Sequence, residues 1–139
     1  MEMYGKYIVF EGNEGTGKDT QIELLLKFFN NNDVKYIKVK EPSNHNNFLK
    51  FLRGEIKSNK DLFEITRFLL HSAARNELIE GVVIPALKQG VNVVSNRSYV
   101  SSIVYQGLVG GIDMQFLQTN IKNCMHGIEI DYLFILQNS

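Results

Sequence analysis

A glycine-rich loop, Gly12 to Thr20, constrains the fold of this chain more than any other segment. The apolar run Tyr7 to Phe10 precedes the loop and predicts a β-strand. The residues after it have the i, i+3, i+4, i+7 spacing of one helix face: Ile22, Leu25, Leu26 and Phe29. Glycines let backbone N–H groups approach phosphate closely, and a helix N-terminus adds positive potential. Together these features predict a nucleotide-phosphate site; the alternative is a fortuitous glycine loop.

The loop fits the pattern G-x-x-x-x-G-K-[ST] at Gly12, Gly17 and Lys18, but not at its last position. In this pattern the lysine reaches the β- and γ-phosphates, and the hydroxyl residue after it contacts Mg²⁺. Here that residue is Asp19. The sequence therefore predicts a phosphate site whose contact with the metal is altered.

The composition of the chain narrows the class of protein, its partners and its location. A chain of 139 residues with 44% hydrophobic residues suits one domain with a substantial core. Fifteen basic and fifteen acidic residues leave no net charge, so nothing indicates a nucleic-acid partner. No apolar run approaches the roughly 20 residues of a membrane span, and the first residues do not resemble a signal peptide. We expect a cytoplasmic protein.

The single cysteine, Cys124, cannot form an internal disulfide. It shares a helical spacing with Leu117 and Ile121, which favours a buried thiol over a nucleophile.

Three further strands are predicted. Val34 to Val39 and Val91 to Ser95 are the second and third. Ile130 to Leu136 is the fourth, and its nearly uninterrupted apolar character is typical of a strand in the middle of a parallel sheet.

Helices are predicted between these strands. A short helix around Phe48 to Leu52 should close at Gly54. Asp61 and Glu64 resemble a capping box that opens a long helix to about Glu80. Pro85 should break any continuation, although it can open another turn before Gly90. Two later helices are expected, over roughly Tyr99 to Gln106 and along Met114 to Cys124, separated by a flexible turn at Gly107, Gly110 and Gly111.

Strands separated by helical segments imply an α/β fold with a central parallel sheet and right-handed crossovers, in one domain over residues 1–139. The ligand site should lie beyond the carboxyl ends of the strands. Polar side chains follow the first three strands there: Glu11, Lys40-Glu41 and Asn96-Arg97. Each alone could be a solvated strand end, but three together indicate a site.

Several blocks resemble thymidylate kinases, in the order that this family has them. The first is the loop segment Phe10 to Gln21. The others are Lys40-Glu41-Pro42, Leu69 to Arg75, Ile84 to Gly90, Ser95 to Gly107 and Ile130 to Leu133. The resemblance implies a P-loop NTP hydrolase-like three-layer sandwich of the nucleoside monophosphate kinase type. It also implies a transferase of nucleotide biosynthesis, which uses ATP and Mg²⁺ to phosphorylate dTMP or a related deoxynucleoside monophosphate.

The same resemblance assigns roles. Lys18 should lie along the β- and γ-phosphates, Arg97 should hold the acceptor phosphate, and Glu14 should meet the substrate; these three form the expected catalytic set. The expected ATP-binding set is Gly12, Asn13, Glu14, Gly15, Thr16, Gly17, Lys18, Asp19 and Thr20. The expected substrate-binding set is Glu14, Lys40, Pro42, His71, Arg75, Arg97, Ser101, Tyr105 and Gln106. A homodimer through the long helices is also compatible with the family, with no nucleic-acid or membrane partner.

The alternatives to these roles are structural. Glu14 could be a solvent-tolerated loop acid and Arg75 a surface ion pair. Tyr105 could be a packed core residue.

Two departures from the family bear on the site. His71 stands where the family stacks a phenylalanine on the base, which leaves the choice of base open. Asp19 replaces the loop hydroxyl, whereas Asn96 replaces an expected acid at the end of the third strand. Our hypothesis is that Asp19 ligates Mg²⁺ and preserves the charge lost at Asn96. The opposing interpretation is loss of function, because a carboxylate without metal repels triphosphate.

Two further departures leave alternatives to the kinase activity. Ser98 replaces a usual aromatic, and the segments Glu11-Gly12-Asn13 and Arg97-Ser98 also resemble deoxynucleoside kinases. A deoxynucleoside kinase, which phosphorylates the unphosphorylated nucleoside, is therefore the second candidate. The loop carries no arginine. Family members with such a loop supply their catalytic arginines from a lid after the fourth strand. We expect this lid, the helix after it and the last strand to be absent from this sequence. A fragment, a split gene product and a degenerate copy are all compatible with that ending. A catalytically impaired nucleotide-binding protein is therefore the third candidate.

Overall fold

A parallel four-stranded sheet forms the centre of the protein, as seen in a computed structural model that describes residues 4–138. The strands are β1 (Tyr7–Glu11), β2 (Tyr36–Lys40), β3 (Asn92–Asn96) and β4 (Tyr132–Ile135). Their order in the sheet is β2-β3-β1-β4, and every pair is parallel. The first three residues, on which the signal-peptide prediction partly rests, and Ser139 lie outside the described part.

Helices connect the strands. The α-helices are α1 (Lys18–Asn31), α2 (Asn47–Ser58), α3 (Glu64–Leu78), α4 (Ile84–Lys88), α5 (Tyr99–Ser102) and α6 (Met114–Met125). Two π-helical segments, Ile79–Val83 and Ile103–Val109, continue α3 and α5. Within residues 4–138 no helix is long and apolar enough to cross a membrane.

The central strand β1 separates two hydrophobic cores, because successive side chains of a strand point to opposite faces. Tyr7 and Val9 pack into the larger core, which α3, α6 and both π-helical segments cover. Ile8 and Phe10 pack on the other face, which α1 covers with Ile22. Helices therefore lie on both faces of the sheet. The predicted three-layer α/β fold is confirmed.

The fourth strand lies at the edge of the described sheet, whereas its sequence is typical of a strand in the middle. β4 lies at the edge of the described sheet and pairs only with β1 there, with Ile8 opposite Tyr132. Its four side chains are between 42% and 58% exposed, although Phe134 stacks on Phe10 at 5.0 Å. Apolar composition predicts burial, but the neighbours of a strand decide its place in the sheet, and the strand's own sequence does not encode them.

The predicted ends of α2 and α3 also differ from the structure. α2 continues past Gly54 to Ser58, because Leu49, Leu52 and Ile56 bury one face and compensate for the low helix propensity of glycine. α3 begins at Glu64 without a side-chain cap, so the predicted capping box at Asp61 does not form.

Pro85 does not interrupt the helix that contains it. The chain stays helical from Glu64 to Lys88 by way of the π-helical segment Ile79–Val83. Pro85 is the second residue of α4 and directly follows the π-helical segment, where the Ile84 N–H donates to the carbonyl oxygen of Ile79, five residues earlier. The predicted break is therefore wrong, and the predicted new turn before Gly90 is confirmed.

Gly107 does not lie in a flexible turn, as predicted, but is buried in the second π-helical segment. A Cβ placed on it would meet Met114 Cε at 3.1 Å and Leu117 Cδ1 at 3.2 Å. α6 therefore packs closely against this segment, and a side chain at position 107 would require Met114 and Leu117 to shift.

Candidate active site

A cavity of about 860 Å³ opens where the sequence predicted a site, at the carboxyl ends of the strands. Its wall contains every predicted site residue except Gly12 and Thr16. The glycine-rich loop forms one side. Residues from the ends of β2 and β3, from α2 and α3, and from the segment Asn96 to Gln106 form the other. The fold thus brings the predicted phosphate loop and the predicted substrate residues to one space.

Lys18 is fixed inside the loop. It is the first residue of α1, is buried, and its Nζ donates to the Gly12 carbonyl oxygen at 3.1 Å. Burial lowers the pKa of Lys18, and Arg97 across the cavity lowers it further. Gly12 has a φ of 150°, and a Cβ there would lie 2.8 Å from the Leu136 carbonyl oxygen. The loop can therefore pass under Leu136 only with glycine at this position.

The rest of the loop is shaped by its own side chains. Gly17 precedes α1 in the left-handed conformation with a φ of 85°, and no side chain caps the helix. The first N–H groups of α1 are thus free for an anion. Thr16 Oγ1 donates to the Asn13 carbonyl oxygen at 2.7 Å, and Asn13 Oδ1 accepts from Tyr105. Thr16 therefore holds the loop conformation and does not face the cavity.

Glu11 is a structural carboxylate rather than a ligand group. It is buried and accepts from the backbone N–H of Ser98 at 2.8 Å and of Ser101 at 3.2 Å. It also accepts from both hydroxyls, at 2.9 Å from Ser98 and 2.6 Å from Ser101. The serine at position 98, which departs from the family pattern, is thus explained by its bonds to Glu11.

Arg97 adopts the left-handed conformation, with a φ of 74°. Such a conformation costs a non-glycine residue about 1–3 kcal/mol and persists only where neighbours hold it. Its N–H donates to the Phe10 carbonyl oxygen at 2.8 Å, and its own carbonyl accepts from Ser95 Oγ at 2.7 Å. Its guanidinium donates to Ser101 Oγ at 3.4 Å and lies on the cavity wall. The strained residue is thus held by its neighbours at the cavity wall.

Arg75 forms a buried ion pair, so the surface ion pair considered above is wrong. Its Nε donates to Glu41 Oε1 at 2.8 Å, and its Nη2 donates to Ser102 Oγ at 2.8 Å. Burial raises the pKa of Glu41, an effect that Arg75 opposes. Three buried atoms on this part of the wall have no hydrogen-bond partner among residues 4–138: Glu41 Oε2, Arg75 Nη1 and Gln106 Oε1. A bound ligand can supply their partners.

Three cations of the wall were not singled out in the sequence: Arg53, Lys57 and Arg67. Arg53 and Lys57 are four residues apart on α2 and lie beside its buried face. This spacing places both cations on one side of the helix and could have predicted them as a pair from the sequence. Burial lowers the pKa values of Lys40 and Lys57, and the charge of Arg53 lowers both further. Crowded cations of this kind attract an anion.

Tyr105 is 42% exposed and lines the cavity, so the core-packing alternative is wrong. Glu14 is exposed on the same wall.

Cys124 is half-buried and does not line the cavity, and burial raises the pKa of its thiol, which stays protonated.

Asp19 and Asn96 are in direct contact, since Asn96 Nδ2 donates to Asp19 Oδ1 at 3.1 Å. Both line the cavity beside Lys18. In the described part of the chain, no three histidine, cysteine or acidic side chains are grouped as a metal site. Mg²⁺ is commonly held by one or two carboxylates together with substrate phosphates and water. One carboxylate beside a phosphate loop fits that mode of binding.

A parallel sheet with helices on both faces, a phosphate loop after its central strand and a cationic wall opposite define a P-loop protein of the nucleotide-kinase type. Comparison with known proteins gives the family. The family model for thymidylate kinase matches residues 10–139, and the chain belongs to the thymidylate kinase family.

Individual relatives agree with that assignment. A thymidylate kinase of Caldicellulosiruptor saccharolyticus is 39% identical over 113 residues, which are 81% of this chain and 55% of the relative. One of Chlorobium limicola is 35% identical, over 95% of this chain and 60% of the relative. The crystal structure of thymidylate kinase from Ehrlichia chaffeensis superposes with a TM-score of 0.87 and 27% identity, over 97% of this chain and 77% of that one. The chain thus spans little more than half the length of these two curated relatives.

Proposed function

We propose that this chain carries the donor and acceptor sites of an ATP-dependent kinase that phosphorylates dTMP or a related deoxynucleoside monophosphate. The observation that carries the proposal is the joint cavity, which is lined both by Lys18 of the phosphate loop and by Arg97 after β3. Phosphoryl transfer needs a donor and an acceptor phosphate held in line, and positioning with charge stabilisation supplies most of the catalysis.

ATP would lie along Asn13 to Thr20. The free N–H groups at the start of α1 and the Lys18 ammonium would meet its phosphates. Lys18 Nζ already donates to a loop carbonyl, and an ammonium has two further N–H donors for phosphate oxygens.

The acceptor would lie on the opposite wall. Arg97, with Lys40 and Arg53 nearby, would hold its phosphate, since the guanidinium fork matches phosphate geometry. Arg75 Nη1 and Gln106 Oε1 would pair with polar atoms of the base, because both are buried without a partner among residues 4–138. The remaining predicted substrate residues would line the sugar and the base: Glu14, Pro42, His71, Ser101 and Tyr105.

Asp19 is the proposed protein ligand of Mg²⁺, which neutralises phosphate charge when bound with ATP. Asn96 Nδ2 occupies one carboxylate oxygen of Asp19 and leaves the other available. A cytoplasmic location belongs to this proposal, and so does the family's homodimer.

The test offers the purified chain ATP and Mg²⁺ with either dTMP or thymidine and follows ADP release. We expect release that depends on dTMP and not on thymidine. The substitution Lys18→Met should lower kcat/KM at least about a hundredfold through lost transition-state charge stabilisation. Lys27→Met, on the exposed side of α1, should leave it unchanged.

Calorimetric titration completes this test. ATP and dTMP binding without ADP release would support the non-catalytic alternative. Absence of dTMP binding at millimolar concentration, or turnover of thymidine instead, would refute the proposal.

A further inference from the structure

Three side chains of α3, spaced four residues apart, share the face that lines the cavity: Arg67, His71 and Arg75. The two outer ones are held by the protein itself. Arg67 Nη1 donates to the Ile56 carbonyl oxygen at 2.6 Å and its Nη2 to the Asn59 carbonyl oxygen. Arg75 is held by Glu41 and Ser102, as described above.

His71, between them, has no hydrogen-bond partner in the described structure, residues 4–138. Its imidazole is largely withdrawn from solvent, and burial together with Arg75, Arg67 and Lys57 lowers its pKa to about 4. The ring is therefore neutral at physiological pH and carries one N–H donor and one acceptor nitrogen. A polar group on a partly buried wall costs free energy unless something hydrogen-bonds to it.

The cavity that His71 lines has few aliphatic side chains that could contact a methyl group. Ile56 and Pro42 are the only aliphatic side chains of the cavity wall within residues 4–138. The charges that act on the imidazole come from Arg75, Arg67 and Lys57, which also line the cavity. A ligand group next to His71 therefore has hydrogen-bond donors in the same wall.

We propose that His71 is a specificity-determining residue of the acceptor pocket, where its imidazole hydrogen-bonds to a polar substituent on the base. The inference rests on the proposed function and deepens it. His71 and Arg75 are one helical turn apart, about 5–6 Å along the axis. Both line the same cavity, so Arg75 Nη1 would pair with a carbonyl of the base and His71 with a substituent beside that carbonyl. A pyrimidine nucleotide with a hydroxymethyl group at that position is then a better acceptor than one with a methyl group.

The experiment uses three acceptors that differ only in the 5-substituent: dUMP, dTMP and 5-hydroxymethyl-dUMP. Binding constants and kcat/KM are measured for the wild type, His71→Phe and His71→Gln. One hydrogen bond to a neutral group is worth about 0.5–1.5 kcal/mol, which corresponds to about a two- to twelvefold change in affinity. We therefore expect the wild type to prefer the hydroxymethyl compound over dTMP by that factor. His71→Phe should reverse this preference, and His71→Gln, which keeps a donor and an acceptor, should retain part of it.

Two controls separate recognition from folding. His45→Phe makes the same substitution on an exposed residue outside the cavity and should change nothing. The ¹⁵N shifts of the His71 ring should move on saturation with 5-hydroxymethyl-dUMP more than with dTMP, a response that a purely structural histidine would not give.

The outcomes are distinguishable. Binding of all three monophosphates with the same ratios in wild type and His71→Phe overturns the inference and leaves the proposed function standing. A wild-type preference for dTMP over the hydroxymethyl compound also overturns it. Absence of binding by all three overturns the proposed function and the inference together.

Discussion

Breaking the buried ion pair between Glu41 and Arg75 should destabilise the protein strongly. The two side chains are 5% and 1% exposed, and their atoms approach to 2.8 Å. At an effective dielectric constant of about 20, opposite unit charges at this separation attract by about 6 kcal/mol. Burial nevertheless outweighs Arg75 and raises the pKa of Glu41, so desolvation takes up part of that attraction.

Glu41→Gln keeps the shape of the side chain but leaves the Arg75 charge buried without an anion. Removing one partner of a buried pair typically costs about 3–5 kcal/mol. The whole stability of a domain is about 5–15 kcal/mol. We therefore expect a large shift of the urea midpoint, measured as the free energy of unfolding by far-UV circular dichroism.

Two variants make this measurement decisive. Glu23→Gln breaks the exposed pair with Lys38, whose atoms are 2.7 Å apart, and should cost at most about 1 kcal/mol because solvent screens it. Glu41→Gln combined with Arg75→Met removes both charges and should recover much of the lost stability. A cost for Glu41→Gln no larger than that for Glu23→Gln would show that the buried charge is compensated in another way, and the reasoning would be wrong.

Two further predictions concern stability. The pKa of His71 is about 4 in the folded state and 6.5 for an unperturbed histidine, so the unfolded chain binds more protons between these values. The free energy of unfolding should fall by up to about 3 kcal/mol as pH drops from about 6.5 towards 4. Urea denaturation at pH 7 and pH 4.5 measures this loss, and His71→Phe should remove the part that comes from His71. An equal loss in wild type and His71→Phe would contradict the prediction. Gly12→Ala should lower the melting temperature, because its Cβ would meet the Leu136 carbonyl oxygen at 2.8 Å. Gly54→Ala in α2 is the matched control: its Cβ meets no atom, and the change should raise stability by about 0.5–1 kcal/mol. An unchanged melting temperature for Gly12→Ala would refute the close approach between position 12 and the Leu136 carbonyl oxygen.

The phosphate loop and the parallel sheet could be predicted because their signals are local. The strand before the loop, the helix after it and the three glycines lie within one short stretch, and the fold places them as expected. The polar residues at strand ends converge because the strands are parallel, which a general rule of α/β sheets provides. Glu11 was the exception, since its sequence position does not reveal the four donors that surround it.

What escaped prediction depends on contacts between distant segments. Lys57 and Arg67 belong to helices whose distance from the loop is set only by packing. The edge position of β4 depends on its pairing partners. Pro85 was expected to break the helix because the π-helical segment before it has no sequence signal comparable to a cap.

The four hydrogen bonds accepted by Glu11 have a consequence for binding entropy. One carboxylate at the end of β1 fixes the segment that carries Arg97, and the same strand leads directly into the phosphate loop. The proposed ATP and acceptor sites are thereby tied to one strand, so their separation would be set before either nucleotide binds. A preformed site of this kind loses little backbone conformational entropy when a nucleotide binds. Its contacts with the phosphates would then serve to align the two nucleotides and not to order the site.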